Sequence, residues 1–375
     1  MIKRKKPLFL FLVLLWAMVQ AFLFINFGIV QKGEAIKYLS EANYFSQHLH
    51  FSEPKYLFYS ILIFLHIICI KTGAGIYGVY IVQLLLNCFS MVCFYRLAKR
   101  LSNHETTAIV ASFLLIICFP WQAWTTHLYT ESLFLSLVII LGYQLAVLDM
   151  KSRRSFGLFV LTFLLLLFSR PTGMLFIPVL LIYFLYKYRR DNKKLLSVTL
   201  ALASIAGFIL LLNYAMKGEG EFDFLKPFTE EHIICGVPAA DSRKPLTVAA
   251  DGNNIQGILD YGFHHPLHFL QLAIRKIHAF FGLKRAYYST THNLYLALFF
   301  YPLYIFSFGG AIDLRRKNKE FNVLIIATIL LFACSVAFSC DDWLNRFIMP
   351  VIPYIILLGA LGMMYAFSII KGRKI

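Results

Sequence analysis

Long apolar runs separated by short polar segments dominate the chain. The first run covers residues 7–30 and follows a basic N-terminus, and no small-residue cleavage site follows it. A membrane-spanning helix needs about 20 apolar residues, so this run predicts an uncleaved first helix. Further apolar runs predict helices at about 56–70, 76–98, 107–123, 131–148, 156–169, 171–187, 195–214, 293–312, 321–339 and 347–369.

The apolar stretch at 156–187 needs a break. A single helix of this length would be about 48 Å long at 1.5 Å per residue, whereas the apolar core of a bilayer is about 30 Å thick. The segment Ser169-Arg170-Pro171-Thr172-Gly173 interrupts the stretch, and basic residues flank both of its ends. We therefore expect two short helices that turn at Pro171.

Composition and charge narrow the class of protein before any motif is considered. Hydrophobic residues make up 59% and charged residues 15%, which excludes a soluble domain, and 17% aromatic content excludes a disordered chain. The formal charge is +17, from 36 Lys and Arg against 19 Asp and Glu. Such a charge is typical either of nucleic-acid binding or of biased membrane loops, and its location decides between them.

The run at 56–70 sets the topology. It has about 15 residues, short for a crossing, and is read as an interfacial or re-entrant helix. If it does not cross, every basic cluster lies on one side, as the positive-inside rule requires. The sequence then predicts ten crossings, both termini in the cytoplasm and no nucleic-acid partner. The clusters are Lys3–Lys6, Arg96–Arg100, Lys151–Arg154, Lys187–Lys194, Arg315–Lys319 and Lys371–Lys374.

This topology predicts a single transmembrane domain over 1–375 with two large outer loops. The first, 31–75, should carry amphipathic helices. The second, 215–291, contains a basic amphipathic stretch at Phe269–Gly282, which we expect on the membrane surface or at a lipid phosphate. Because the inner loops are short and basic, the working site should face outward.

Metal and disulfide signals are weak. His264, His265 and His268 lie together, but Pro266 breaks the helical register that a metal site would use. We therefore predict no metal ligands. Cys235 and Cys340 both fall on predicted outer segments, yet the cysteine spacing gives little support for a disulfide between them.

Two candidate acids lie at predicted outer helix ends. Glu34, Tyr38 and Ala42 share one helical face, and Glu34 could serve as a general base or simply favour the helix N-terminus. Glu131, in the segment that begins with His127, opens an apolar helix, and the same two interpretations apply. Ionisable groups at the membrane are costly, so each is a functional hypothesis.

Two arginines lie at outer turns. Arg170 sits between two apolar helices, where a guanidinium suits a phosphate or carboxylate, or reaches towards lipid headgroups. Arg346 follows Asp341 and Asp342 by five and four residues at the mouth of the last helix. It could hold an anionic headgroup that the acids orient, or form a self-contained ion pair.

The ordered set of these motifs resembles polytopic GT-C glycosyltransferases, in particular a bacterial relative of the protein O-mannosyltransferase and aminoarabinose-transferase branches. The resemblance covers nearly the whole chain as loose spacing, and implies an all-α, GT-C-like membrane fold. The motifs are Glu34-x-x-x-Tyr38-x-x-x-Ala42, the basic turn Arg96–Arg100, Thr130-Glu131-Ser132, Ser169-Arg170-Pro171-Thr172-Gly173, His265-Pro266 with Lys276 downstream, and Asp342-x-x-x-Arg346-x-x-x-Pro350-x-x-Pro353.

The resemblance implies inverting transfer of a sugar from a polyprenyl-phosphate donor. Glu34 would be the catalytic base, although these families more often carry Asp there. No cofactor is required, and a divalent metal is optional. The acceptor is a glycan, a lipid or a protein, and the place is the outer face of a bacterial inner membrane. The residues expected to bind substrate or lipid phosphate are Arg346, Arg170, Lys276, Lys55, Glu131, Asp342, Tyr38 and His127.

Three other functions stay open from the sequence. A lipid-linked glycan polymerase or an acyltransferase would also face outward and handle lipid-linked substrates. A flippase or transporter would place ionisable residues at mid-membrane and show paired interrupted helices. The acids and arginines here lie at the predicted outer mouth and no internal repeat is evident, so glycosyl transfer is favoured.

Overall fold

A computed structural model describes residues 6–189, 205–210, 226–237 and 255–370. These residues are almost entirely helical, and their extended pairing is confined to two isolated β-bridges. The all-helical fold class that the apolar runs predict is confirmed. The predicted helix at 195–214 lies largely outside the described residues.

The helices follow the apolar runs closely. Short 3₁₀ helices lie at Pro54–Tyr59, Ala123–Thr126 and Pro171–Leu175. The α-helices are α1 (Lys6–Phe27), α2 (Glu34–His48), α3 (Ser60–Lys71), α4 (Gly75–Ser102), α5 (Glu105–Ile116), α6 (Phe119–Gln122), α7 (Thr130–Val147), α8 (Arg153–Leu167), α9 (Phe176–Lys187), α10 (Lys226–Thr229), α11 (Ile255–His264), α12 (Pro266–Gly282), α13 (Thr290–Lys317), α14 (Lys319–Ala337) and α15 (Ile352–Ile370).

Seven helical segments of the described chain are long and apolar enough to cross a membrane. An eighth is obtained if the pair Glu105–Ile116 and Phe119–Thr126, bent by 66°, counts as one span. The segment Pro54–Lys71 also passes on length and composition, so its predicted interfacial position and the total of ten crossings stay predictions. The other six are Pro7–Phe27, Gly75–Ser102, Thr130–Val147, Thr290–Lys317, Lys319–Ala337 and Ile352–Ile370.

The predicted breaks next to two prolines are present. The helix α8 ends at Leu167, and the chain resumes at Pro171 as a 3₁₀ turn that leads into α9. Pro266 starts α12 directly after α11 ends at His264. Proline is tolerated in the first turn of a helix because the backbone N–H that it lacks has no partner there.

Packing divides the chain into two compact units, and each is described by itself. Unit 1 comprises residues 1–173, 303–321 and 352–375, and unit 2 comprises 174–302 and 322–351. The predicted division into one transmembrane domain with outer loops at 31–75 and 215–291 stays a prediction.

Unit 1 is built around α4, which packs against α3, α5 and α7, while α15 packs against α5. Buried amides join its helices. Gln20 of α1 donates to Gln122 at 2.8 Å and accepts from Thr125 at 2.6 Å. Hydrogen bonds between helices are a common means of association where no water competes.

Unit 2 has a small aromatic core beneath α11 and α12. Phe228 of α10, Tyr261 of α11 and Leu272 of α12 are buried together, and Phe269 packs against them. A disulfide joins Cys235 to Cys340 across 105 residues of sequence. The sequence-based expectation that these cysteines stay unpaired is therefore wrong, because the fold brings two segments that are distant in sequence side by side.

Candidate active site

A short backbone bridge in unit 1 fixes where α2 begins. The Val30 amide donates to the Thr126 carbonyl at 2.8 Å, and the Leu128 amide donates to the Val30 carbonyl at 3.2 Å. Gly33 follows with φ of 63°, and the Tyr129 hydroxyl donates to the Lys32 carbonyl at 2.8 Å. The first turn of α2 is thereby held beside the segment that leads into α7.

Glu34 opens α2, and its carboxylate meets the side chain one turn further on. The Tyr38 hydroxyl donates to Glu34 Oε2 at 3.1 Å. Tyr38 is 1% exposed and its ring lies 5.3 Å from that of Tyr59. Burial raises the pKa of Tyr38 well above its ordinary value, so the phenol keeps its proton and orients the carboxylate. The predicted shared face of Glu34 and Tyr38 is present.

Glu131 and Arg170, which are 39 residues apart in sequence, form one buried ion pair. Arg170 Nη1 bonds Glu131 Oε1, with side chains 10% and 1% exposed respectively. The Thr130 hydroxyl also donates to the Glu131 carboxylate at 3.3 Å. The charge of Glu131 raises the pKa of Tyr38 and that of Arg170 lowers it, so the two partners act on Tyr38 in opposite directions. The sequence identified both residues but gave no reason to pair them.

His127 and Lys55 have local partners. His127 Nδ1 lies 3.0 Å from the Ala123 carbonyl, which suits a donated hydrogen bond. Burial lowers the pKa of His127, so its imidazole is neutral at pH 7. Lys55 Nζ lies 2.7 Å from the Glu53 carboxylate and 5.7 Å from the centre of the Tyr56 ring.

Sequence reasoning missed one cation in this neighbourhood. Lys37 follows Glu34 by three residues, and its ammonium lies 5.0 Å from the centre of the Tyr59 ring and 5.8 Å from that of Tyr56. A lysine three residues after a candidate base on one helix was the available signal, because residues at this spacing are surface neighbours.

In unit 2, Asp342 and Arg346 form the ion pair that their spacing predicts. Arg346 Nη2 lies 2.8 Å from Asp342 Oδ2. The other carboxylate oxygen accepts the backbone N–H of Leu344 at 2.8 Å, which closes a tight turn. Arg346 thus has a carboxylate partner within the same short segment.

Asp341 turns the other way, towards an arginine that sequence reasoning missed. Arg285 Nη2 bonds Asp341 Oδ2, and both side chains are 1% exposed. Arg285 also donates to the Ala279 carbonyl at 3.0 Å and to the Asp342 carbonyl at 3.2 Å. Arg285 lies 56 residues before Asp341, so no local pattern could reveal the pair.

The disulfide lies next to these acids. The Cys235 amide donates to the Asp341 carbonyl at 2.8 Å, and the Asp341 amide donates to the Ile233 carbonyl at the same distance. A parallel β-bridge and a covalent bond therefore hold the start of the 340–346 segment. This segment carries Asp341, Asp342 and Arg346 and is tied to residues 233–235 of the long predicted outer loop.

Lys276 is buried among apolar groups. It is 0% exposed, and its ammonium lies 3.5 Å from the centre of the Phe228 ring. Its Nζ has no hydrogen-bond partner within the described part of the chain. Burial lowers the pKa of Lys276 to about 7. An anion that binds beside such a buried amine would stabilise its protonated, charged form, which burial disfavours.

In the residues that the structure describes, no cluster of three or more His, Cys, Asp or Glu side chains could hold a metal ion. His268 pairs with Glu231 at 3.0 Å, and His264 lies 3.1 Å from Asp260. The structure thus divides these histidines among separate acidic partners.

Residues 48–216 match a model of the Alg9-like mannosyltransferase family. The match covers a little under half of the chain and includes Lys55, His127, Glu131 and Arg170. No curated protein sequence matches the chain.

Two solved structures from Archaeoglobus fulgidus are similar to the chain. One is a crystal structure of the oligosaccharyltransferase tethered through a disulfide to an acceptor peptide containing the NVT sequon. It aligns with 98% of this chain and 50% of that chain, at 13% identity and a TM-score of 0.54. The other is the archaeal oligosaccharyltransferase AglB in complex with an inhibitory peptide and a dolichol-phosphate, with 96% and 51% coverage, 13% identity and a TM-score of 0.46.

The present chain spans about half the length of these two proteins. At 13% identity the first likeness establishes a shared fold. The match to the Alg9-like mannosyltransferase model concerns residues 48–216, whereas the shared fold extends over almost the whole chain.

Proposed function

We propose that the chain is a membrane glycosyltransferase of the GT-C type that moves a sugar from a polyprenyl-phosphate donor to an acceptor hydroxyl. The match of residues 48–216 to the Alg9-like mannosyltransferase model and the fold shared with the oligosaccharyltransferase support this proposal. The proposed place is the outer face of a bacterial inner membrane. The observation that carries the proposal is the Glu34 carboxylate, fixed at the start of α2 and hydrogen-bonded to Tyr38. The acceptor class is a glycan, a lipid or a protein.

The proposed reaction is a single displacement. The acceptor oxygen attacks the anomeric carbon while the bond from that carbon to the phosphate oxygen breaks. The hydroxyl proton passes to Glu34, and the polyprenyl phosphate leaves with the bonding electron pair. One attack from the face opposite the leaving group inverts the anomeric centre. No cofactor is required, since the donor carries its own leaving group, and a divalent metal is optional.

The cations supply charge for the leaving phosphate. A guanidinium has five N–H donors, so an arginine that already holds one carboxylate retains donors for a phosphate. Arg170 in unit 1 and Arg346 in unit 2 are such residues, and Lys55 and Lys276 are further candidates. Glu131 and Asp342 would hold the arginines in place, with Tyr38 and His127 lining the substrate. Charge that develops on a leaving oxygen is stabilised most by donors that are already oriented.

Two independent features support an outward-facing site. In the predicted topology, in which 56–70 does not cross, the basic clusters fall on the side opposite 31–75 and 215–291. The Cys235–Cys340 disulfide supports the same orientation, because disulfides persist in oxidising compartments rather than in the cytosol. A reporter fused after Lys374 should therefore read cytoplasmic, and an outward signal would overturn the orientation.

The test begins with the donor. Mass spectrometry of lipid-linked sugars and envelope glycans in a deletion strain identifies what accumulates and what is lost. Purified Glu34→Gln protein should then retain its thermal stability and lose transfer by at least 10²-fold, the usual minimum contribution of a general base. Glu34→Asp should keep part of the activity.

Glu41 provides a matched control on the same helix. Its carboxylate is buried and accepts the Ser52 backbone N–H at 2.8 Å, so its role is structural. Glu41→Gln should lower stability while leaving turnover per folded molecule near that of wild type. Wild-type turnover in Glu34→Gln would remove Glu34 from the mechanism.

A further inference from the structure

An exposed tryptophan lies in the middle of the 340–346 segment of unit 2. Trp343 is 52% exposed, although its neighbours Asp342 and Asn345 are each 3% exposed. Its indole stacks on no other ring of the described chain. A large aromatic ring between buried polar residues is not explained by packing of the protein itself.

The backbone that carries this indole is held from several sides. The hydroxyls of Tyr287 and Tyr288 both donate to the Trp343 carbonyl, at 2.8 and 2.9 Å. The Asn345 side-chain amide donates to the Leu283 carbonyl at 2.8 Å. The disulfide at Cys340 and the Arg285–Asp341 ion pair fix the start of the segment. Rigid presentation of an exposed ring lowers the entropic cost of binding a ligand to it.

A second exposed aromatic residue bonds the Trp343 backbone, and two charged residues lie close to Trp343 along the chain. Tyr287 is 48% exposed, and its ring stands nearly perpendicular to that of Tyr288, with centres 5.2 Å apart. Asp342 precedes Trp343, and Arg346 follows three residues later as the partner of Asp342. The same short part of unit 2 therefore carries two exposed aromatic residues and an ion pair.

We propose that Trp343 and Tyr287 form a stacking surface for a pyranose ring of the carbohydrate substrate. A pyranose has an apolar C–H face, which suits an aromatic ring, and a rim of hydroxyls, which suits the guanidinium of Arg346 that Asp342 orients. The inference rests on the proposed function, because that function supplies the sugar. Donor and acceptor can both carry such a ring, and the kinetic experiment separates them.

The alternative occupant is lipid, since tryptophan is enriched at membrane interfaces. A lipid anchor requires only that the ring reach the interface. It does not require two tyrosine hydroxyls on one carbonyl, nor a buried ion pair and a disulfide on the same short segment. These observations favour a ligand of defined shape over a fluid headgroup region.

Binding is tested first, without turnover. Full-length protein in lipid nanodiscs is titrated with methyl mannoside, methyl glucoside and methyl galactoside while tryptophan fluorescence is recorded. Wild type should show a saturable change for at least one glycoside, and Trp343→Phe should lack it. No saturable change with any of the three, or a wild-type change retained in Trp343→Phe, overturns the proposal. So does strong quenching of the Trp343 contribution by brominated lipids.

Kinetics provide the second readout. Trp343→Ala should raise the KM of the substrate that stacks there by about tenfold while kcat stays within a few-fold, and Trp343→Tyr should restore most of the affinity. A selective rise for donor or for acceptor identifies the source of the ring. Phe263→Ala is the matched control, because Phe263 is 81% exposed in the same unit and has no place in the proposed cluster.

The two proposals fail separately. If no variant and no wild-type preparation transfers sugar, the glycosyltransferase proposal fails, while the fluorescence titration still tests sugar binding at Trp343. If wild type transfers sugar and Trp343→Ala has unchanged KM values for both substrates, the stacking proposal alone is overturned.

Discussion

Replacing Gly33 by alanine should displace Glu34 without touching its carboxylate. Gly33 has φ of 63°, and a Cβ added there would lie 2.6 Å from the Tyr129 hydroxyl oxygen. With φ of 63° and ψ of −125°, the Gly33 backbone lies in a region that alanine rarely adopts, at a cost of about 1–3 kcal/mol of stability. The Tyr129 ring must also move, which weakens its bond to the Lys32 carbonyl. A shift of about 1 Å at a catalytic group can cost 10²-fold in rate, so we expect turnover to fall by about 10- to 100-fold.

Gly28 separates backbone strain from displacement. Its φ is 60°, almost the same as that of Gly33, but a Cβ there would meet nothing within 4 Å. Gly28→Ala should therefore lose about 1–2 kcal/mol of stability and keep its turnover. Both variants are compared by thermal stability in detergent and by transfer rate per folded molecule. Equal turnover in Gly28→Ala and Gly33→Ala would refute the reasoning, because it would show that the clash with Tyr129 does not displace Glu34.

Three further predictions concern the buried charges and the disulfide. Arg170→Ala should lower the free energy of unfolding by about 3–5 kcal/mol, because it leaves Glu131 charged and buried. The double variant Arg170→Leu with Glu131→Leu should lose less stability than Arg170→Ala alone. Additive losses in a double-mutant cycle would contradict this. Lys276 has a pKa lowered to about 7 in the folded state, so the unfolded chain binds more protons above that pH. Relative to Lys276→Met, the free energy of unfolding should rise by up to about 1.4 kcal/mol per pH unit between pH 7 and pH 10 and lose this gain as the pH falls back to 7; parallel pH profiles would exclude a shifted pKa. Replacing Cys235 and Cys340 by serine should lower the free energy of unfolding by about 4.7 kcal/mol, as expected for a closed loop of this length. A reducing agent should produce the same loss in wild type but not in the variant.

The sequence predicts the local features of this fold well. Apolar runs of membrane length locate the helices, and Arg170-Pro171 locates the break between α8 and α9, because both depend on neighbouring residues alone. The contact between Glu34 and Tyr38 follows from a spacing of four residues on one helix.

Contacts between distant segments are outside the reach of such patterns. Arg170 meets Glu131 across 39 residues, Arg285 meets Asp341 across 56, and the disulfide closes 105. Each depends on how helices and loops pack rather than on a period in the sequence. The chemistry of a residue can therefore be read from its neighbours along the chain, whereas its partner has to be read from the fold.

The pairing of these charges bears on which acid can act as a base. An arginine taken out of water needs a carboxylate beside it, because an uncompensated buried charge is costly. Glu131 neutralises Arg170, and Asp342 neutralises Arg346. A carboxylate that is bound to a guanidinium is a poor proton acceptor, because the positive charge favours its ionised form. Glu34 accepts a hydrogen bond from the Tyr38 phenol, which keeps its own proton and therefore orients the carboxylate. The ion pairs thus make Glu131 and Asp342 supports for their arginines rather than bases, and in the proposed reaction they keep each guanidinium oriented for the charge of the leaving phosphate.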